Sequence, residues 1–251
     1  MHLCVGELMM ISTEMGIKGA YQDESTARSY VANRFTSQLN RMLHDRQVAA
    51  VQGAIDRLRP GKTLEIAPGP GRLTRHLRPS GKLVALEYNE SMIAQGRPHT
   101  TTRSDWVRGD GFHLPFAPGF DLVYSFRFIR HFRRADRERL YAEIRRVLRP
   151  GGQFILDAVN VQISAPLRAK RPEDFPIYDK LYRRDELFDE LTGAGFNPIS
   201  AQPVYKFKRC QTLSQVLVGP RADWLNRLVI RVLERFPSRD GEEWIVICER
   251  V

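Results

Sequence analysis

Short apolar runs alternate with helical stretches through the middle of the chain, and this alternation constrains the fold more than any other feature. Each run is apolar at consecutive positions, which is typical of strands buried on both faces. Buried strands separated by helices predict a doubly wound α/β architecture with right-handed crossovers and a parallel sheet. The runs are KTLEIA (62–67), KLVALE (82–87), DWVRGD (105–110), FDLVYSF (120–126) and GQFILDAV (152–159).

The flanking segments predict further elements. LNRMLHDRQVAAVQGAIDRL (39–58) has apolar residues at helical spacing and is stopped by Pro60-Gly61. Late in the chain, RRDELFDELTGAGF predicts a helix closed by Gly195, and two strands follow at 198–207 and 242–250. We therefore expect a flexible arm (1–20), an N-terminal helical cap (21–60), an α/β core (61–208), a helical insertion (209–241) and a final core strand (242–251).

The insertion contains ADWLNRLVIRVLERF (222–236), whose apolar residues recur at helical spacing. Three interpretations remain open for it. The helix packs on the body, it closes over a pocket as a lid, or it forms a surface that meets a partner.

The first apolar run ends in a turn rich in glycine and proline, LEIAPGPG (64–71), and we expect a helix to begin at Leu73. Glycine permits a positive φ and lets a ligand approach the backbone. In open α/β sheets, ligands bind outside the carboxyl ends of the strands. The dinucleotide fingerprint G-x-G-x-x-G fails here, because Thr74 stands at its third glycine position, and the phosphate loop G-x-x-x-x-G-K-[ST] is absent. An enzyme that uses NAD is therefore disfavoured.

Acidic residues end the next two runs. Glu87 can accept hydrogen bonds from both hydroxyls of a ribose. Asp110, which is followed by Gly111 and Phe112, can accept from the exocyclic amine of adenine. Together with the glycine-containing turn, these residues describe a pocket for a nucleoside whose tail carries no phosphate.

In these segments the chain resembles the class I S-adenosylmethionine-dependent methyltransferases, over about residues 60–160. The resemblance rests on TLEIAPGPGRL, LVALEYNESM, GDGFHLPFAPGFDLVYSFRFIRHF and RRVLRPGGQFILD, in that order. It is greatest for the small-molecule branch, which includes the ubiquinone/menaquinone C-methyltransferases and many natural-product enzymes. The resemblance implies S-adenosylmethionine as cofactor and a Rossmann-like, mostly parallel sheet of seven strands with an antiparallel last strand.

The resemblance also implies which residues hold the cofactor. Glu65, Gly69 and Gly71 would line the methionine part, Glu87 would hold the ribose, and Asp110 would lie at the adenine. The whole implied set is Glu65, Ala67, Gly69, Gly71, Glu87, Tyr88, Asp110, Gly111, Phe112 and Ser125. Ala67 stands where the family usually has its first glycine. Alanine is the smallest replacement, and we expect it to be tolerated if φ is negative there.

Methyl transfer from a sulfonium is an in-line displacement that depends mainly on positioning. An acceptor hydroxyl or acidic carbon additionally needs a base or an electrostatic helper. The candidates follow the fourth run: Arg127, Arg130 and His131. The arginines would bind an acidic group of the acceptor or stabilise an enolate or phenolate, and His131 would be the base. The histidines lack metal-ligand spacing, so we expect no metal.

The leading hypothesis is a cytoplasmic methyltransferase acting on a small, acidic molecule at oxygen, nitrogen or carbon. The net charge of +10 keeps an RNA or protein methyltransferase open, although no N/D-P-P-[YF] tetrapeptide follows the fourth run. A non-catalytic partner protein of the same fold and a homodimer also remain open.

No apolar run reaches the roughly 18 residues of a transmembrane helix. The three cysteines (Cys4, Cys210 and Cys248) form no C-x-x-C pair, which fits a reducing compartment.

Overall fold

The structure of the protein is a computed structural model, and it describes residues 37–100, 104–175 and 177–251. One mixed sheet runs through it in the order β3-β2-β1-β4-β5-β8-β7, and a two-residue strand, β6, pairs with the end of β5. The strands are β1 (Lys62–Ile66), β2 (Lys82–Glu87), β3 (Ser104–Arg108), β4 (Phe120–Ser125), β5 (Leu148–Asn160), β6 (Leu181–Tyr182), β7 (Phe196–Val204) and β8 (Glu243–Arg250).

Strand directions confirm the predicted topology. β1 is parallel to both β2 and β4, and β2–β3 and β4–β5 are parallel pairs. The last strand, β8, is antiparallel to both of its neighbours, β5 and β7. Because β7 therefore runs in the same direction as β5, the chain leaves β7 at the edge of the sheet where β1, β2 and β4 also end.

Helices cover the sheet on both sides. In the described residues the α-helices are α1 (Gln38–Leu58), α2 (Glu90–Gly96), α3 (Arg134–Val147), α4 (Val161–Lys170), α5 (Arg184–Gly193), α6 (Lys208–Leu217) and α7 (Asp223–Arg235). The Ser37 side chain caps α1 by accepting from Asn40 N, and Arg59 ends the helix in a left-handed conformation ahead of Pro60. The helices predicted at α1, α5 and α7 are confirmed. The predicted arm and residues 21–36 of the predicted cap lie outside the described residues.

Alternate residues of the central strands face two separate hydrophobic clusters. Leu64 and Ile66 of β1 pack on one side of the sheet, whereas Leu83 and Ala85 of β2 pack on the other. Burial on both faces explains why these strands are apolar at consecutive positions. In β1, Glu65 replaces an apolar residue in this pattern and is buried as well.

One predicted helix is much shorter than expected. The segment after the glycine-containing turn forms only a single 3-10 turn, Thr74–His76, where we expected a helix beginning at Leu73. Only ten residues separate Gly71 from β2, and Pro79 interrupts them, so an α-helix of normal length does not fit. β5 is longer than predicted, since it begins at Leu148 directly after α3.

Within the ranges described, no helix combines the length and the apolar character needed to cross a bilayer.

Candidate functional site

A cleft opens at the carboxyl edge of the sheet, where β1 to β4 end. Its volume is about 1070 Å³ when the open space at its mouth is included. Carboxyl ends of parallel strands meet at one edge, and their turns therefore line a common space. Of the residues predicted from the sequence, the cleft is lined by Glu65, Ala67, Gly69, Glu87, Tyr88, Asp110, Gly111, Phe112, Arg127 and His131.

The structure places three predicted site residues outside this lining: Gly71, Ser125 and Arg130. The Ser125 hydroxyl donates to the Ile66 carbonyl (2.9 Å) and is buried, so it ties β4 to the end of β1. Gly71 packs against β3, where a Cβ would lie 3.0 Å from the Trp106 ring. Both residues therefore support the structure around the turn without lining the cleft.

The backbone at Ala67 does not meet the condition that we set for tolerating alanine there. Its φ is +56°, in the left-handed region, and not negative. Gly69 and Gly71 have φ values of +58° and +70°, so the turn is left-handed at alternate positions. A non-glycine residue there costs about 1–3 kcal/mol. The Ala67 N–H donates to Leu86 O (2.9 Å), which holds the turn on the end of β2.

Glu87 connects the ends of β1 and β2. One carboxylate oxygen accepts from Gly69 N (2.9 Å) and the other from Asn89 N (3.0 Å). Burial raises the pKa of Glu87, although these backbone donors act in the opposite direction. The cleft thus has a fixed acceptor group in its wall, directly against the glycine-containing turn.

Glu65 is a second buried acid in the cleft lining. Its Oε2 accepts from Thr74 Oγ1 (2.5 Å) and from the Tyr124 hydroxyl (2.8 Å). Burial raises the pKa of Glu65 to about 7. Glu87 and Arg72 lie close by, so this part of the cleft wall contains two acids and one arginine.

The third strand end forms another wall of the cleft. Asp110 Oδ1 accepts from Phe112 N (3.0 Å), which fixes the turn after β3. A Cβ on Gly111 would lie 3.2 Å from the Phe128 ring, so the backbone approaches this aromatic ring closely. Phe112 is buried and packs edge-to-face on Phe132, with ring centroids 5.0 Å apart. The wall is therefore aromatic, with one carboxylate beside it.

Arg130 corrects a second expectation. We expected it to face a substrate, but its guanidinium is buried among three carboxylates. Nη1 lies 2.9 Å from Asp157 and 3.1 Å from Glu243, and Nε lies 3.1 Å from Asp179. Arginine has five donors in a planar fork, which lets one side chain serve several acids. Arg130 is thus the centre of a buried ion cluster that joins the loop after β4 to β5 and β8.

His131 lies between this ion cluster and the cleft. Its Nδ1 is 2.9 Å from Tyr178 O and 2.8 Å from Asp179 Oδ1. Both partners are acceptors, so Nδ1 carries the proton, and in the neutral ring Nε2 holds the lone pair. Burial opposes the charge on Asp179, but Arg130, His131 and Arg168 together hold its pKa well below the usual range. Asp179 is thus a permanent negative charge behind the imidazole.

Arg127 completes the cleft wall beside His131. It has a left-handed φ of +58°, and its N–H donates to Asp157 Oδ1 (2.7 Å). The buried acid therefore fixes the backbone at the start of the loop, and the loop then carries both Arg127 and His131 to the cleft.

Sequence reasoning did not identify Asp157, Asp179 or Glu243. Asp157 interrupts the apolar run of β5, and a charged residue inside a buried strand is a signal of a buried ion pair. Asp179 lies in a segment without periodicity. The resemblance also implies that the N-terminal segment, with Tyr21 and Tyr30, closes over the pocket, and both residues lie outside the described residues.

Comparisons with known proteins agree with this geometry. Residues 64–156 match the family model of a methyltransferase domain. The chain is 28% identical to a ubiquinone/menaquinone biosynthesis C-methyltransferase of Methylobacterium nodulans, over 90% of this chain and 84% of the relative. It is also 30% identical to an uncharacterized 37.1 kDa protein in a transposon of Streptomyces fradiae, over 63% of this chain. The match spans only 50% of that second relative's length.

Among solved structures, magnesium protoporphyrin IX methyltransferase from Synechocystis, crystallised with bound S-adenosylhomocysteine, is similar with a TM-score of 0.66. The sequence identity is 12%, and the match covers 95% of this chain and all of the other. At this identity, the similarity establishes the fold alone.

Proposed function

Because the chain belongs to the class I S-adenosylmethionine-dependent methyltransferases, we propose that it transfers a methyl group from S-adenosylmethionine to a small-molecule acceptor that carries a removable proton. One observation carries the proposal. The glycine-containing turn, Glu87, Asp110 and His131 come from four different strand ends and line a single cleft.

The residues of the cleft fit the cofactor. Glu87, fixed by two backbone N–H groups, supplies acceptor oxygens for the two hydroxyls of a ribose. Asp110 beside the aromatic wall suits the adenine amine, and Glu65 suits the cationic methionine part. Two buried acids at the turn are compatible with a sulfonium and an ammonium group. When bound, S-adenosylmethionine supplies an electrophilic methyl group on a positively charged sulfur.

His131 is the proposed general base. With Nδ1 engaged by Asp179 and Tyr178 O, Nε2 accepts the proton that the acceptor releases. The negative charge of Asp179 stabilises the imidazolium that forms, as a positioning residue behind the base. A base of this kind is needed for a hydroxyl or an acidic carbon, so we propose an acceptor of one of these two types.

Arg127 lies in the same wall as His131 and has a positive charge. A guanidinium there stabilises the negative charge of a phenolate or an enolate as the proton leaves. This pairing of a base and a cation favours acceptors such as phenols or enolisable ketones over amines.

Calorimetric titration with S-adenosylhomocysteine tests the cofactor part of the proposal. We expect binding by the wild type and about 10–100-fold weaker binding by Glu87→Ala, since hydrogen bonds to a charged group contribute about 1.5–3 kcal/mol. Glu90→Ala is the matched control, because Glu90 is an exposed acid three residues away whose Arg108 partner is also exposed. No binding by the wild type would overturn the proposal and favour a non-catalytic protein of this fold.

The acceptor part has a separate test. Proteins that bind S-adenosylhomocysteine are screened with phenols, enolisable ketones and quinone precursors, and release of S-adenosylhomocysteine is measured. His131→Gln should retain cofactor binding and lose at least about 100-fold in kcat, which is the usual contribution of a general base. Equal turnover by His131→Gln would exclude His131 as the base.

A further inference from the structure

The helices of the insertion, α6 and α7, direct polar residues inward. In α7 the buried residues are Asn226, Ile230 and Glu234. Asn226 Oδ1 accepts from Ser214 of α6 (2.8 Å), and Glu234 Oε1 accepts from Gln211 of α6 (2.6 Å). The two helices are therefore joined largely by hydrogen bonds, which is the reverse of the usual amphipathic arrangement.

The apolar residues of the same helices point outward. Trp224, Leu228, Val232 and Phe236 recur every four residues along α7, and their exposed fractions lie between 42 and 69%. Residues at this spacing form a continuous stripe along a helix. We call the combined surface the apolar face, and it consists of Leu213, Val216 and Leu217 of α6 with Trp224, Leu228, Val232 and Phe236.

A row of arginines runs beside the apolar stripe. Arg227, Arg231 and Arg235 also recur every four residues, and all three are exposed. Residues 205–241 contain eight basic residues and three acidic ones, a net charge of +5. A helix with an apolar stripe containing tryptophan, flanked by arginines, has the composition of helices that lie in the headgroup region of a membrane.

We infer that α6 and α7 dock the protein onto an anionic lipid bilayer. The apolar face enters the boundary between headgroups and acyl chains, and the arginine row contacts the lipid phosphates. The charge distinguishes this partner from a second copy of the chain, because two such faces would bring like charges together. The insertion leaves β7 at the carboxyl edge of the sheet, which is also the edge that carries the cleft.

The test uses the full chain and vesicles of phosphatidylcholine, with or without about one third phosphatidylglycerol. Trp224 is a built-in probe, because it is 69% exposed whereas Trp106 and Trp244 are 7% and 1% exposed. We expect binding to the anionic vesicles, a shift of tryptophan emission to shorter wavelength and quenching by brominated lipid. Trp224→Phe should still bind and should lose the emission change. These measurements need neither cofactor nor acceptor, so their outcome is independent of methyl transfer.

Variants separate the apolar and electrostatic contributions. Leu228→Glu should abolish binding, and its thermal unfolding should match the wild type because Leu228 is exposed. Replacing Arg227, Arg231 and Arg235 by Gln should weaken binding about fivefold for each arginine removed, which corresponds to about 1 kcal/mol per basic residue at an anionic surface. The matched control replaces three exposed arginines elsewhere, Arg108, Arg134 and Arg184, and should leave binding unchanged.

Three results would overturn the inference. The first is no binding to anionic vesicles. The second is undiminished binding by Leu228→Glu. The third is a dimer in sedimentation equilibrium that Leu228→Glu dissociates, without vesicle binding, which would assign the apolar face to a second copy.

Discussion

Replacing Arg130 by methionine removes the only positive charge that contacts all three carboxylates of the buried ion cluster in the described part of the chain. Asp157, Asp179 and Glu243 would then lie together in the interior. Arg168 would still pair with Asp179 at 2.7 Å, and the charge of Arg127 would still act on Asp157 and Glu243. Removing one partner of a buried ion pair typically costs about 3–5 kcal/mol, because it leaves an uncompensated charge. We expect a loss at least at the upper end of that range at neutral pH.

The loss should depend on pH. In the wild type the pKa of Asp179 lies below its ordinary value of 3.8, so its contribution to stability is present above that value and disappears as the pH falls through the lower, folded-state pKa. Without Arg130, burial is the largest remaining influence and raises the pKa of the carboxylates. The folded variant then binds protons more readily than the unfolded chain, and its stability rises as the pH falls from about 8 to about 5.

Urea unfolding of both proteins across this pH range measures the difference directly. The gap in unfolding free energy between wild type and Arg130→Met should be largest at high pH and should narrow toward pH 5. Arg130→Lys keeps the charge but loses the fork of donors, so its loss should be intermediate. A gap below about 1 kcal/mol, or one that does not change with pH, would refute the assignment of an uncompensated acid cluster.

Three further predictions concern the turn and the base. Ala67→Gly should raise the unfolding free energy by up to about 1 kcal/mol, because the relief of left-handed strain exceeds the conformational freedom added to the unfolded chain. Ala85→Gly in β2 should lower the unfolding free energy, and urea unfolding compares the two variants. Gly71→Ala should lower the unfolding free energy by about 2 kcal/mol, since φ is +70° and the new Cβ would crowd the Trp106 ring. An unchanged melting temperature would contradict this. Asp179→Asn should lower kcat at least about tenfold, because it removes the negative charge behind His131, while the Kd for S-adenosylhomocysteine stays unchanged. General destabilisation of the protein would not lower kcat alone.

Much of the sheet could be predicted from the sequence, because burial on both faces requires apolar residues at consecutive positions. β2 matches its apolar run residue for residue, and β1 and β4 differ from theirs by one residue at the end. The parallel direction of the central strands followed from the alternation of buried runs and helices, whereas the antiparallel last strand was implied by the family resemblance. The prediction of a helix after Gly71 was wrong, because local helical propensity takes no account of the short distance from Gly71 to β2. β6 and α4 were missed because their residues show no clear period.

The cleft was predicted in outline for a similar reason. Glu87 and Asp110 stand at strand ends, and the topology of a parallel sheet brings such ends together whatever the details of packing. The backbone angle at Ala67 could not be obtained in this way. Its left-handed conformation belongs to the path of the turn, where the Ala67 N–H donates to Leu86 O, and this path is not encoded in the identity of residue 67.

The sequence by itself determined the α/β class, the positions of the central strands and the acids at their carboxyl ends, because apolar periodicity and strand termini are local properties. Only the tertiary structure decided which charged residues face the cleft and which are buried. Arg127, Arg130 and His131 are neighbours in sequence, yet Arg127 and His131 line the cleft while Arg130 is buried among acids from β5, β8 and the segment before β6. The partners of a charged side chain come from distant parts of the chain, so its role depends on contacts that no local pattern records.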